Sequence, residues 1–599
     1  MCGIGGMLAH GGEPVSREAL QRVSDAMRQR GPDGAGIWIA EDGRAGLAHR
    51  RLSIIDLSEA GAQPMAAFED RVRIAFNGEI YNHRALRQEL EAAGHRFHSH
   101  SDTEVLLQLY LQHGKEMLHR LRGMYAFAIH DARDGSLFLA RDPFGIKPLY
   151  FADDGRAFRF ASQVKALLQF DGIDRSPEPA GHVGFFLWGA IPEPYTLYQG
   201  VRALPAGTAM TVGPDGRRAQ FGFCHIPDEI ARAEAEGRER GPDAAWREAL
   251  HEAVLDSVRH HLVADVPVGV FLSSGIDSTT LAAHAQEAGS QTLHTLTLGF
   301  DEFRGTAHDE TPLAEAMASH LGARHETHWI SRQEFAEERE RLFAAMDQPT
   351  VDGVNNYFVS KAAAQSGLKV ALSGLGGDEI FQGYPSFNDV PRLVRLGSPF
   401  RRLPTLGKAF RLVSEPVLRR FTSPKYAGIL EYGGSWGGAY LLRRGMFMPW
   451  ELPRNMDAEM VKAGWAELQP LARLERDTAR IAAPGLKVSA LEIGWYMRNQ
   501  LLRDADWASM AHSLEIRVPF VDLELMRKVV ALGAGGQRIG KADLARTPAT
   551  PLPPAIFDRP KTGFSVPVRD WLAESDDKQG AIRGLRGWAQ HVYDRAWTN

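Results

Sequence analysis

The stretch VPVGVFLSSGIDSTTLAAH, residues 266–284, reads as an apolar strand running into a Ser/Gly turn and then a helix. VPVGVFL (266–272) is a short unbroken apolar run, the pattern of a strand buried on both faces of a parallel sheet. The turn offers backbone N–H groups and hydroxyls at a helix N-terminus, which together suit an anion. It is not a Walker A loop, because the lysine–serine ending is missing. Working outward, a helix over 244–262 precedes the strand. The strand TLHTLTLGF (292–300), helices near 311–321 and 356–366, and the strand KVALSG (369–374) follow it. Strands alternating with helices predict a doubly wound parallel α/β sheet. Residues from about 380 to 599 read as mainly helical, with Pro-rich connections near 548–554.

Upstream the rhythm differs. CGIGGMLA (2–9), VRIAFNG (72–78), MYAFAIHD (124–131) and SLFLAR (136–141) are short apolar strands bounded by turn residues. Amphipathic helices fit at Arg84–Ala93, with Leu86 and Leu90 in register, and at Thr103–His113, with Leu106, Leu109 and Tyr110. This order predicts stacked sheets with helices outside over residues 1–215. The charged, weakly apolar tract within 216–243 reads as a linker or surface helix, and 244–599 as the second unit.

Bulk composition narrows the function. At 599 residues the chain exceeds the roughly 250–300 residues a single core reaches. Hydrophobic residues make up 44% and charged residues 24%, as in globular proteins. A formal charge of −5 without a dense Lys/Arg stripe argues against a nucleic-acid partner. Two cysteines, Cys2 and Cys224, exclude a disulfide framework and suit a reducing cytoplasm. Neither a signal peptide nor a membrane-spanning apolar run is visible, so no membrane association is expected.

Cys2 follows the initiator methionine. Removal of Met1 would set the free α-amine beside the thiol, so one residue would supply nucleophile and general base. On position alone a buried structural cysteine is the simpler reading. The surrounding text reverses that: MCGIGG, QRGPDGAG (29–36), GLAHRRLSIIDLSEAGAQPM (46–65), FNGEIYN (76–82), SDTEVLL (101–107) and LARDPFGIKPLYF (139–151). Together these resemble the glutaminase domain of class II, N-terminal-nucleophile amidotransferases of the asparagine synthetase family. The resemblance implies an αββα sandwich. In FNGE a strand is expected to end at Asn77–Gly78, so that the Gly78 amide and the Asn77 side chain face a developing oxyanion. Arg51 offers a fork for the glutamine α-carboxylate, and Asp102 and Glu79 can accept from its ammonium. The resemblance adds Leu52, Ser53, Ile54 and Ile55 to the glutamine site.

In the second half, FLSSGIDSTTLAAH (271–284) resembles the pyrophosphate loop of enzymes that cleave ATP between its α and β phosphates. VALSGLGGDEIFQGY (370–384) repeats the strand–glycine turn–helix logic with an acidic pair. By resemblance, Leu272, Ser273, Ser274, Gly275, Asp277, Ser278, Leu298, Ser373 and Gly374 hold ATP. Asp277 and Asp378 hold Mg²⁺, which favours carboxylates plus phosphate oxygens. LLRDADWASMAHSLEIRVPFVD (501–522) and RPKTGFSVP (559–567) also match the family, with Lys561 set against charge building on the phosphates.

The implied reaction moves ammonia from glutamine, through an apolar passage, onto a carboxylate activated as an acyl-adenylate. With aspartate as acceptor it makes asparagine; a homodimer is the assembly expected. Four positions depart from the family text: Gln29, Ser274, Trp507 and Leu375. Leu375 stands where an acidic residue is usual, and this leaves two readings of the acceptor. Either Glu379 or another carboxylate takes over the role, or the acceptor is not free aspartate but a surface sugar acid or a peptide carboxylate. A glutamine sensor without synthetase activity is the reading from another class.

Overall fold

The computed structural model describes residues 2–11, 14–289, 293–421, 423–557, 571 and 585–598. Its first part is built on two six-stranded antiparallel sheets. One sheet centres on Gly3–Ala9, flanked by Ala45–Arg51 and Ala157–Ala161. The other centres on Val72–Ile80 and Gly123–Asp131. Between them, Ile4, Leu8 and Leu47 of the first sheet meet Ala75, Ala126, Ala128 and Leu139 of the second. The small alanines let the sheets close around the bulky Phe158 and Phe160. Helix Arg17–Ala26 covers the outer face of the first sheet through Leu20 and Val23. Helices His83–Ala92 and Asp102–His113 cover the second through Leu86, Leu90, Leu106 and Leu109. The expected αββα layering is present.

The second part carries a five-stranded parallel sheet ordered Arg324–Ile330, His294–Phe300, Val268–Phe271, Val370–Leu372, Glu515–Arg517. In sequence numbering this is the order 3-2-1-4-5. The chain reverses its winding between Val268–Phe271 and Val370–Leu372, and the crevice at the carboxyl ends of those strands is where such sheets bind ligands. The remaining elements are mainly helical among the described residues, and no helix is long and apolar enough to cross a membrane.

Within 216–243, read as a linker or surface helix, edge strand Arg218–Gly222 pairs with Thr208–Val212 and helix Ile226–Arg240 follows. That helix lies so close to helix Leu523–Ala534 that a Cβ on Gly237 would meet the Ala531 carbonyl oxygen at 2.1 Å. The strand carrying Asn77–Gly78 does not end there: pairing continues through Gly78↔Tyr125 and Glu79↔Met124 to Ile80. Gly78 has φ +153°, and a Cβ there would meet the Met124 carbonyl oxygen at 2.1 Å, so glycine is required by close approach.

The two parts are bound by polar contacts, the Arg30 pair among them buried. Arg30 sends both Nη atoms to the Asp506 carboxylate (2.7 and 2.9 Å) and Nε to the Cys2 carbonyl (3.1 Å). Ser513 Oγ donates to the Gln29 carbonyl (2.6 Å), and Lys369 Nζ to Asp33 (2.8 Å). Leu52 and Ile54 pack against Val370 and Met510. Removing one partner of a buried ion pair leaves the other charge uncompensated. Asp506→Ala is therefore expected to destabilise the fold by about 3–5 kcal/mol. The double variant Arg30→Met/Asp506→Leu should recover most of that in urea denaturation; equal midpoints for Asp506→Ala and wild type would remove this pair from the seam.

Candidate active site

Cys2 lies just ahead of an inner strand of the first sheet, and Asn77–Gly78 sits on the strand next to the edge of the second. The stacking of the two sheets brings them together. The Cys2 backbone N–H donates to Asn77 Oδ1 (2.9 Å). With its oxygen so engaged, Asn77 turns its Nδ2 inward, where it is buried and has no hydrogen-bond partner among the described residues. A buried amide donor without an acceptor awaits one from outside the chain. The Cys2 thiol is buried, which raises its pKa, and the Leu52 backbone N–H opposes that rise.

The expected glutamine-binding residues gather here with different roles visible. Leu52 and Ile54 are buried, and the Ile54 carbonyl accepts from the Asp265 N–H (2.9 Å). The Ser53 N–H donates to Asp33 (2.8 Å), and Ile55 is half-buried beside Leu52. The Arg51 fork points at its own loop, donating to the carbonyls of Ser58 (2.8 Å) and Asp56. Asp102 Oδ2 accepts from the Ile80 N–H (2.9 Å), and burial raises its pKa. Glu79 is buried; burial, with Glu515 adding to it, holds its pKa well above the carboxylate range.

Behind Glu79 stands a group that single-sequence reading left unassigned. Arg517 is fully buried, donating from Nε to Glu515 (2.6 Å) and from Nη1 to the carbonyls of His261 (2.8 Å) and Val263 (2.6 Å). Its Nη2 lies 3.6 Å from Glu79. Burial alone would raise the Glu515 pKa, but the positive charges of the amino terminus, Arg517 and Lys147 hold it at about 2. Buried charges thus pair across the seam here. The sequence signal was the charged EIR inside LEIRVPF, which only strand pairing explains.

At the switch point of the parallel sheet, the two predicted loops meet. In the first, Ser278 Oγ donates to the Ser273 and Gly275 carbonyls (3.0 and 3.1 Å), and the Gly275 N–H donates to Ser273 Oγ (3.1 Å). Ser274 stands in place of a glycine without a left-handed backbone, and its buried hydroxyl has no hydrogen-bond partner. In the second, a Cβ on Gly374 would meet the Ser278 backbone nitrogen at 3.0 Å, and one on Gly377 the Asp277 carboxylate at 2.7 Å. Ser373 is anchored through its backbone N–H to the Arg517 carbonyl (2.8 Å). Leu272 and Leu298 are buried at the ends of adjoining strands.

The two loops bring Asp277 and Asp378 to one cation. Lys541 Nζ pairs with Asp277 and lies 2.8 Å from Asp378. Burial disfavours its charge, but the two carboxylates hold its pKa above the ordinary lysine value. Two carboxylates on facing glycine turns suit a hard divalent cation, so the pair fits Mg²⁺. Lys541 lay in GKADLAR, which resembles no motif by itself. Lys561 lies outside the described residues.

Of the remaining departures, Leu375 packs half-buried against the core of this unit. Glu379 is buried beside it and accepts from Tyr384 OH (3.0 Å). Burial, then Asp378 and Glu492, push its pKa up to about 8. Trp507 donates from Nε1 to Asp504 (2.8 Å) and fills the space against Gly353.

Comparison with known proteins agrees with this division. Residues 1–221 match the glutamine amidotransferase domain family, and residues 249–586 match the asparagine synthase family. Asparagine synthetase 1 (glutamine-hydrolysing) of Bacillus subtilis is 32% identical over 618 aligned positions, covering 100% of this chain and 91% of that protein. Asparagine synthetase 3 of the same organism is 29% identical over 547, covering 88% and 80%. Asparagine synthetase B of Escherichia coli is 32% identical over 417, covering 66% and 67%. With both halves matched in order and nearly its whole length aligned, the chain belongs to the glutamine-hydrolysing asparagine synthetase family.

Proposed function

We propose that this protein transfers ammonia from glutamine to an ATP-activated carboxylate, with aspartate as acceptor and asparagine as product. The observation that carries the reading is the Asn77 amide. Its oxygen is fixed by the Cys2 N–H, while its buried Nδ2 is left without an acceptor beside the nucleophile.

After loss of Met1, the Cys2 amine takes the thiol proton and Sγ attacks the side-chain carbonyl of glutamine. Asn77 Nδ2 and the Gly78 N–H stabilise the oxyanion; ammonia leaves, and water releases glutamate from the thioester. Arg51, Asp102 and Glu79 hold the amino-acid end of glutamine, which requires the Arg51 fork to exchange its loop carbonyls for the carboxylate. In the second half the acceptor carboxylate attacks the α-phosphorus of ATP. Pyrophosphate leaves into the Ser273–Ser278 loop, its charge met by Lys541 and the loop N–H groups. Mg²⁺, held by Asp277 and Asp378, would neutralise the phosphate oxygens. Ammonia then displaces AMP from the acyl-adenylate. Glu379 is the carboxylate that covers the role left open by Leu375, because a buried acid with pKa near 8 can take a proton from the attacking nitrogen. The glutaminase half ends after Gly222, and helix Ile226–Arg240 belongs with the ATP-dependent half.

Three measurements test this. Cys2→Ala should abolish glutamine-dependent turnover and spare turnover with ammonium salts, and mass spectrometry of the active protein should find Met1 removed. Loss of both activities would contradict two separate sites. Asn77→Ala should lower glutamine hydrolysis by about 10²–10³-fold, the cost of one oxyanion donor, without changing ammonia-dependent turnover. Pyrophosphate release should require aspartate, and amide formation at constant free ammonia should rise as pH passes through about 8, where Glu379 loses its proton. Glu379→Gln should flatten that rise; an unchanged inflection removes Glu379 from the chemistry, and release with other acids but not aspartate removes the acceptor.

A further inference from the structure

Away from both sites, three side chains on adjacent helices converge. His251 projects from helix Trp246–His261, and His284 and Glu287 from helix Ile276–Glu287. One ligand atom from each lies within 4.8 Å of the other two. His251 Nε2 is 3.1 Å from one Glu287 oxygen, and His284 Nδ1 is 3.4 Å from the other.

Hydrogen-bond accounting fixes both imidazole tautomers. His251 Nδ1 faces the Thr547 carbonyl at 2.6 Å; a carbonyl only accepts, so Nδ1 carries the proton. Thr547 Oγ1 donates its own hydrogen to the Leu544 carbonyl (2.7 Å), so it must accept from His284 Nε2 (2.8 Å). A neutral imidazole has one N–H. In the neutral form, each ring turns a lone pair toward the same carboxylate, which receives the Ala549 N–H at 3.2 Å. His284 is fully buried and its Nδ1 makes no hydrogen bond. Three acceptors around one point repel each other unless a positive charge sits between them.

We propose that His251 Nε2, His284 Nδ1 and the Glu287 carboxylate form a binding site for a first-row divalent cation. Two imidazoles and a carboxylate are a Zn²⁺ donor set, and Thr547 orients both rings by the outer hydrogen bonds that metal-bound histidines use. Glu252, whose Oε1 is 3.8 Å from His251 Nε2, or a water can complete the coordination. Side-chain exposures of 17% for His251 and 20% for Glu287 leave an access path. The cation would clamp the C-terminal end of helix Ile276–Glu287, whose first turn carries Asp277, to helix Trp246–His261. Its role is structural, on the nucleotide half.

The test uses the full chain, stripped with a chelator and titrated with Zn²⁺. Wild type is expected to bind one equivalent more than His251→Ala or Glu287→Gln by elemental analysis, and to gain a higher Tm that neither variant gains. Co²⁺ in place of Zn²⁺ should give visible d–d absorption in wild type only. Glu287→Gln guards against misfolding, because its amide offers the missing donor to the rings and the metal-free variant should be at least as stable as metal-free wild type. Equal metal content in wild type and both variants, or no Zn²⁺-dependent rise in wild-type Tm, would overturn the site.

Discussion

The arrangement depends on neutralising one buried guanidinium. Arg517 has no exposed surface, and a charge in that position persists only if it is paired and its donors are used. Glu515 and two carbonyls after helix Trp246–His261 take most of them, and Glu79 faces the remainder. Glu515 and Arg517 belong to the last strand of the parallel sheet, whereas Glu79 follows Asn77 and Gly78 on the sandwich strand. One charge cluster thus binds strand Val72–Ile80 of the first half to the sheet of the second. Arg30 does the same one step away, joining the Cys2 carbonyl to Asp506. Elements that bear on the nucleophile are therefore also elements of the domain seam.

The two chemistries rest on different uses of the backbone. In the sandwich, glycine is needed at position 78 because the strands approach too closely for a Cβ. In the parallel sheet, Gly374 and Gly377 let one loop press against Asp277 of the other. That contact brings two carboxylates within reach of a single lysine. The order 3-2-1-4-5 makes this possible, since strands adjacent in space at the switch point are far apart in sequence.

Much of this was legible from residues alone. Continuous apolar runs marked the inner strands Val268–Phe271 and Val370–Leu372, because burial on both faces admits little else; His294–Phe300 (HTLTLGF) alternates leucine with threonine. The edge strand Arg324–Ile330, with sequence RHETHWI, escaped notice: half-exposed along its length, it needs no apolar pattern. Glu515–Arg517 escaped for the opposite reason. It is fully buried, yet two of its three residues are charged and satisfy each other.

The sequence by itself determined the chemistry of each local element: a cysteine at position 2, an Asn–Gly on a strand, and Ser/Gly turns feeding helices. These depend on neighbours within a few residues, so spacing is enough to read them. Only the tertiary structure decided which charges share a burial site. Lys541 reaches Asp277 and Asp378, Arg517 serves both halves, and Thr547 orients His251 and His284 across long stretches of chain. The reason is physical: a charge or a lone pair acquires its state from whatever displaces water around it, and that is set by packing between distant segments rather than by adjacent residues.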